Sequence, residues 1–316
     1  MAESGSRFNR RALLGALGIG LGGVGLGAAA VALRTPGSAD NARVGLTEAE
    51  RDDPLAPFFE RPFAPVAPDV QRALRRGPLP AEATLKRADI GRLDEPGYLD
   101  AETGYSSLPD GRGYVAVRTE MPGVTAEMID WWFSWANRVN LRYKIWFPGL
   151  HYGNRVTEPT LEEAADLARR PERERKAYWF TTAHPQEDVG FGPEAISIRF
   201  VPPQDYGLAN PSFATGQATA ICAYTGADSI GIMHSHMCHY VRPIAGGVEL
   251  RSRFWMGEDI HLAGAGSGVS AIVLNTDFVR RRLINPNRPY DMAIHCAQEY
   301  ANLAAILPEL FRRYAG

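Results

Sequence analysis

The sequence predicts an α+β domain in which a curved antiparallel sheet wraps one long C-terminal helix. Three observations carry this. Several segments between residues 111 and 257 read as strands, most of them alternating apolar and polar residues. Helical patterns follow the first strand, and the remaining strand-like runs come in succession after them. The chain then closes on a mostly apolar helical stretch at 289–315. Strand, helices, consecutive strands and a final helix is the order of an α+β layer packing.

In chain order, "GRGYVAVRTEMP" reads as the first strand. After Pro122–Gly123, "TAEMIDWWFSWAN" reads as a helix capped by Thr125, with Met128, Trp131, Trp132 and Trp135 at helical spacing. Thr160 and Glu163 form a capping-box pattern at the head of "TLEEAADLARRPERERKAYW". "EAISIRFVPP", "ATAICAYT" and "SIGIMHSHMCHYVRPIAGGVELRSRFWMG" are strand-like, and Gly246–Gly247 is a hairpin signal between two alternating runs. In the last helix Pro308 is expected to introduce a kink or a break. Residues 43–110 are proline-punctuated, without the long periodic pattern of an independent core. They read as an arm packed on the main domain, 111–316, or on a second subunit.

Composition narrows the function. The chain has 316 residues, a formal net charge of −2 and three cysteines without CxxC spacing. This argues against a disulfide scaffold and a thiolate metal site, and gives no electrostatic case for nucleic acid. Residues 1–42 are set apart. Arg10 and Arg11 precede an uncharged run from Ala12 to Leu33 containing seven glycines. The segment resembles a bacterial twin-arginine export signal, which implies a periplasmic or extracellular protein. Left uncleaved, the same run is long enough to serve as a membrane anchor.

The chemistry concentrates in "IHCAQEY", residues 294–300, where His295 and Glu299 stand four apart. On a helix they share one face and can ligate one metal ion. Such pairs also occur on solvated faces, but here Ile294, Ala297, Tyr300, Leu303 and Ala304 make the helix apolar, and a buried carboxylate needs a partner. Further ligands come from few places. His151 lies in an aromatic, glycine-containing loop and, taken alone, reads more readily as a hydrogen-bonded loop histidine than as a ligand. Glu187 precedes a strand and, taken alone, reads more readily as an exposed turn acid, with Asp188 and Glu194 as neighbours. His234 and His236 share a strand face, making "HSH" the rival chelate, while His239 points to the opposite face.

Together "MPGVTAEMIDWWF", "YKIWFPGLHYGN", "HYVRPIAGGVELRSRFW" and "HCAQEY" resemble the 2,4-diacetylphloroglucinol hydrolase family over residues 110–315. The resemblance implies a helix-grip domain, similar to the birch-pollen allergens, with a zinc ion in its cavity. It also implies hydrolysis of a carbon–carbon bond between an acyl group and an electron-rich aromatic ring. Carried over residue by residue, it makes His151, Glu187, His295 and Glu299 the zinc ligands, with Glu194 the alternative to Glu187. Tyr143, Asn154 and His239 become the substrate-directed groups. Trp146 and Phe147 offer apolar walls for a flat ring, or simply core packing. Phe254 stands where the family has a tyrosine, which puts the natural substrate in question. The expected partners are a small aromatic or polyketide-like substrate and a second subunit in a homodimer. The competing readings are a non-catalytic carrier of hydrophobic small molecules and a zinc hydrolase of esters or amides.

Overall fold

The computed structural model describes residues 45–263 and 269–316. The twin-arginine-type segment, 1–42, lies outside them. The N-terminal arm carries α1 (Glu48–Arg51), α2 (Ala56–Glu60) and α3 (Pro68–Arg75), then 3₁₀ turns at Ala81–Ala83 and Arg87–Leu93. There follow β1 (Gly104–Ser107), β2 (Gly113–Pro122), α4 (Ala126–Ala136), α5 (Asn140–Lys144), β3 (His151–Gly153), β4 (Val156–Thr157) and α6 (Leu161–Arg169). The second half comprises β5 (Thr182–Ala183), β6 (Gln186–Asp188), β7 (Pro193–Val201), α7 (Pro211–Thr215), β8 (Thr219–Ala227), β9 (Ile232–Ile244) and β10 (Gly247–Leu262). It closes with α8 (Val269–Leu274), α9 (Asp277–Leu283) and α10 (Arg288–Tyr314).

The strands form one antiparallel sheet in the order β1-β2-β10-β9-β8-β7-β5-β4, with β6 joined to β7 and β3 to β6. Period-2 alternation sorts its two faces. Met237 and Val241 of β9 and Val248, Leu250, Phe254 and Met256 of β10 enter the core shared with α10. Cys238, Tyr240 and Trp255 face the other way, against Leu85, Ile90 and Leu93 of the arm. The α+β expectation therefore holds, with the sheet gripping α10 on one face and residues 85–102 of the arm covering the other, while Phe58, Val70 and Leu74 of the arm join the core with α10.

That outer face explains three charged side chains inside a strand. Glu249, Arg251 and Arg253 are essentially inaccessible. Arg251 and Arg253 both reach Glu102 of the arm, at 2.5 and 2.6 Å, and Arg251 Nη1 donates to the Leu93 carbonyl at 2.8 Å. Glu249 is held by Arg118 and Arg242 at 2.7 and 2.5 Å. Buried charges persist when they are paired and hydrogen-bonded.

Three local expectations are adjusted. Thr125 caps α4 as read, but its fully buried stripe is Ala126, Ile129, Trp132, Phe133 and Ala136. Trp131 and Trp135 stack on each other at the flank, 4.8 Å apart, beside Phe311 and Tyr314 of α10. The larger aromatics thus seal the α4–α10 seam instead of filling the core. Pro308 does not break α10, whose final turns are clamped by buried Leu303, Ile306, Leu307 and Leu310. The β9–β10 hairpin turns through Ala245 and Gly246, since Gly247 already pairs with Ile244. Gly246 needs its φ of +80°, and a Cβ on Gly247 would stand 2.3 Å from the Met121 carbonyl oxygen.

Candidate metal centre and substrate cavity

Between the inner sheet face and α10 lies a narrow, partly open cavity of about 70 Å³. Much of its wall is apolar: Phe133, Ile196, Ile198, Phe200, Met237 and Phe254. At one side three elements converge. The turn through Pro148 and Gly149 (φ +86°) brings the chain from α5 into β3. The antiparallel pairing of β3 with β6 sets His151 directly opposite Glu187. From α10, His295 and Glu299 present one helix face to the same point.

His151 Nε2 lies 3.4 Å from Glu187 Oε2 and 3.7 Å from Glu299 Oε2, and His295 Nε2 lies 3.8 Å from Glu299 Oε2. His151, His295 and Glu299 offer ligand atoms that are all within 4.8 Å of one another. Four ligands at about 2.0–2.2 Å around a tetrahedral ion stand about 3.3–3.6 Å from each other, so the close contacts are near the edges of such a polyhedron.

The tautomers sharpen this. His151 Nδ1 bonds the Tyr143 carbonyl at 3.1 Å, and His295 Nδ1 bonds the Asp188 carbonyl at 3.2 Å. A carbonyl accepts only, so each Nδ1 carries the proton and each Nε2 carries a lone pair. Both lone pairs then face carboxylate oxygens, which accept as well when ionised. His151 Nε2 is buried and has no hydrogen-bond partner. Burial, against the Tyr143 hydrogen bond, pushes Glu187 up to about 7, and burial together with the Glu187 charge pushes Glu299 well above the usual carboxylate range. Burial also holds His295 down at about 4 and His151 well below its ordinary value. Two imidazole lone pairs beside carboxyls whose charged form burial disfavours are what a bound cation reconciles, since it supplies the charge that the carboxylates lack, and nitrogen and oxygen ligands suit a divalent ion.

The other predicted residues distribute as follows. Tyr143 stacks on His151, centroids 4.1 Å apart, and its hydroxyl donates to Glu187 Oε2. Glu194 is occupied by Arg288 at 2.7 Å and stands outside the cluster. His239 lines the cavity, with Nδ1 2.8 Å from Ser252 Oγ, and burial lowers it to about 3. Phe254 lies edge-on to His239 at 5.6 Å. Trp146 lines the cavity, whereas Phe147 packs behind the imidazoles, 4.7 Å from the His295 ring. Asn154 sits one step back, donating through Nδ2 to the Asn137 carbonyl at 3.0 Å, and Asn137 itself reaches the cavity wall.

The rival His234/His236 chelate does not assemble. A register shift between β8 and β9 leaves His234 out of the pairing and breaks the alternation that would align the two. His234 Nδ1 meets Ser235 Oγ at 2.8 Å. His236 turns toward Tyr206 and Tyr224 and accepts from Arg87 Nε at 3.4 Å. Two cavity residues escaped the sequence reading as site residues. Asn137 ends a helix and carries no spacing signal. Tyr300 closes the "HCAQEY" stretch and was counted there only as apolar helix surface.

Comparison with known proteins places the chain in a family. Residues 85–312 match the family model described as the DAPG hydrolase PhiG domain. Phloretin hydrolase of Eubacterium ramulus is 31% identical over 283 residues, 88% of this chain and 95% of that protein. A 2,4-diacetylphloroglucinol hydrolase of Pseudomonas sp. is 31% identical over 275 residues, 84% of this chain and 90% of the relative. Among solved structures, the Zhui aromatase/cyclase of Streptomyces sp. R1128 aligns over 65% of this chain and 98% of its own, at 12% identity and a TM-score of 0.34, too low to support an argument. The family match spans most of the chain and contains every residue of the cluster, so the chain belongs to the DAPG hydrolase PhiG-domain family.

Proposed function

We propose that this protein hydrolyses the carbon–carbon bond joining an acyl group to a phenolic ring, with a zinc ion held by His151, Glu187, His295 and Glu299. The observation that carries the reading is the convergence of unprotonated imidazole nitrogens and buried carboxylates on one wall of a largely apolar cavity. The family membership and the names of its relatives support the substrate class. Zinc in such a site supplies a Lewis acid and lowers the pKa of water toward roughly 7.

The chain's own residues account for the rest. The apolar walls, with Trp146, seat a flat ring and exclude bulk water. Tyr143 orients Glu187 through its hydroxyl and is kept protonated by burial and by that carboxylate. His239 stays neutral, and with Nδ1 engaged by Ser252 it offers its other nitrogen to a ring oxygen or to a proton in transit. Asn154, through Asn137, steadies the polar rim. In the net reaction the water oxygen ends on the acyl carbon and a water proton on the ring carbon, releasing a carboxylic acid and the deacylated phenol.

The purified protein is expected to carry about one zinc per chain and to release carboxylic acid from acylphloroglucinols, but not from esters or amides of equal size. Metal analysis beside product chromatography checks this. A metal-free protein that binds such compounds unchanged would instead be a carrier. The proposal extends to export through Arg10 and Arg11, to the periplasm or beyond, and to a homodimer as the working form.

A further inference from the structure

Tyr300 follows Glu299 on α10 and is fully buried, yet its hydroxyl has no hydrogen-bond partner in the described protein. Its ring lies 4.8 Å from that of His239 and edge-on to Trp146 at 5.5 Å, and all three line the cavity. Trp146 Nε1 is also buried without a partner. Native interiors pair nearly all such groups, with protein, water or ligand. Here the space beside both is the cavity.

Proton counting separates the two tyrosines. A phenol has one proton to donate. Tyr143 gives its proton to Glu187, so in this arrangement it meets a ligand only as an acceptor. The proposed ligands His151, His295 and Glu299, with Glu187 beside His151, also present acceptors, and Phe254 brings no donor. An acylated polyphenol carries several oxygens that accept, and they need donors on the cavity wall. We propose that the Tyr300 hydroxyl, seconded by the Trp146 indole N–H, is a neutral donor beside His239 that fixes a second oxygen of the phenolic ring in the cavity. Tyr300 is then a specificity-determining residue next in sequence to a proposed metal ligand, and it acts without binding the metal. This assignment rests on the acylphenol reading.

Phloroglucinol, which has no acyl group to lose, probes it without turnover. Its Kd for the zinc-loaded full chain is measured by calorimetry for wild type and Tyr300→Phe, alongside zinc content and Tm. The expected result is a Kd weakened roughly 3–10-fold, the scale of one neutral hydrogen bond, with full zinc and an undiminished Tm. An unchanged Kd overturns the assignment. So does a Tm several degrees lower, which would place the hydroxyl in the protein's own hydrogen bonding. A wild type that binds phloroglucinol but hydrolyses no acylphloroglucinol removes the hydrolase reading and leaves Tyr300 to stand on the Kd. A wild type that does not bind phloroglucinol overturns Tyr300 whatever the turnover.

Discussion

His151 shows how one hydrogen bond decides what a side chain can do. Because Nδ1 is committed to the Tyr143 carbonyl, Nε2 is left as a lone pair among carboxylate oxygens. In the proposed function Glu299 and Tyr143 divide the remaining labour, one holding the ion and the other orienting its ligand. Glu299→Ala is expected to lose both metal and turnover, as read by zinc analysis and product release, because the surviving ligands are left buried and unpaired. Tyr143→Phe is expected to keep zinc at saturating metal, to weaken metal affinity about 10–100-fold through the freed Glu187, and to lower kcat by about 10²–10⁴ if the hydroxyl also moves a proton. Full kcat in that variant would favour simpler ester or amide chemistry. At this scale the shared face of His295 and Glu299 was legible, because residues at i and i+4 lie on one side of a helix and an apolar helix buries that side. Glu187 was not separable from Glu194 by spacing. The β3–β6 register separates them, placing one opposite His151 while Arg288 neutralises the other.

Among the elements, β10 carries an arginine pair that only the arm can neutralise. Glu102 is the link, bonded to both Arg251 and Arg253. Burial pushes its carboxyl up, but the Arg251 hydrogen bonds and the Arg253 charge outweigh that and bring it down to about 2. A folded-state value below the unfolded one stabilises the protein above the unfolded pKa and is lost as protons bind the folded form. The contribution of Glu102 is therefore expected to be complete above about pH 4.5 and to fade toward about 2. Glu102→Gln should cost about 3–5 kcal/mol near neutral pH and flatten that acid limb, measured by denaturant unfolding from pH 7 to 2.5. A variant as stable as wild type at pH 7 would show that the arm is held by its buried apolar residues, Phe58 and Leu74 on one side and Leu85, Ile90 and Leu93 on the other, without help from the Glu102 pairs. The proline-rich arm resisted reading because its partner is a strand face distant in sequence, and no local period reports such a contact.

For the whole molecule, the cavity exists because the sheet curves around α10 and α4 closes the seam. Among the described residues no helix is long and apolar enough to cross a membrane. The export proposal therefore depends on Arg10, Arg11 and the apolar run behind them. Replacing both arginines with lysine is expected to retain the protein inside the cell, as followed by fractionation and immunoblotting, with hydrolysis in the lysate unchanged. Export that continues undiminished would remove the twin-arginine reading and leave the metal centre untouched.

The sequence by itself determined the α+β order of elements, the capped helices, the β9–β10 hairpin, and the His295/Glu299 face. All of these are set by short-range periodicity and turn chemistry. The tertiary structure decided what depends on long-range register. It paired His151 with Glu187, turned His234 and His236 apart at a shifted ladder, and folded residues 85–102 of the arm over the outer face of the sheet. It also left the Tyr300 hydroxyl unpaired beside the cavity. Each of these joins residues far apart in the chain, where only the packing of sheet on helix determines which side chains meet.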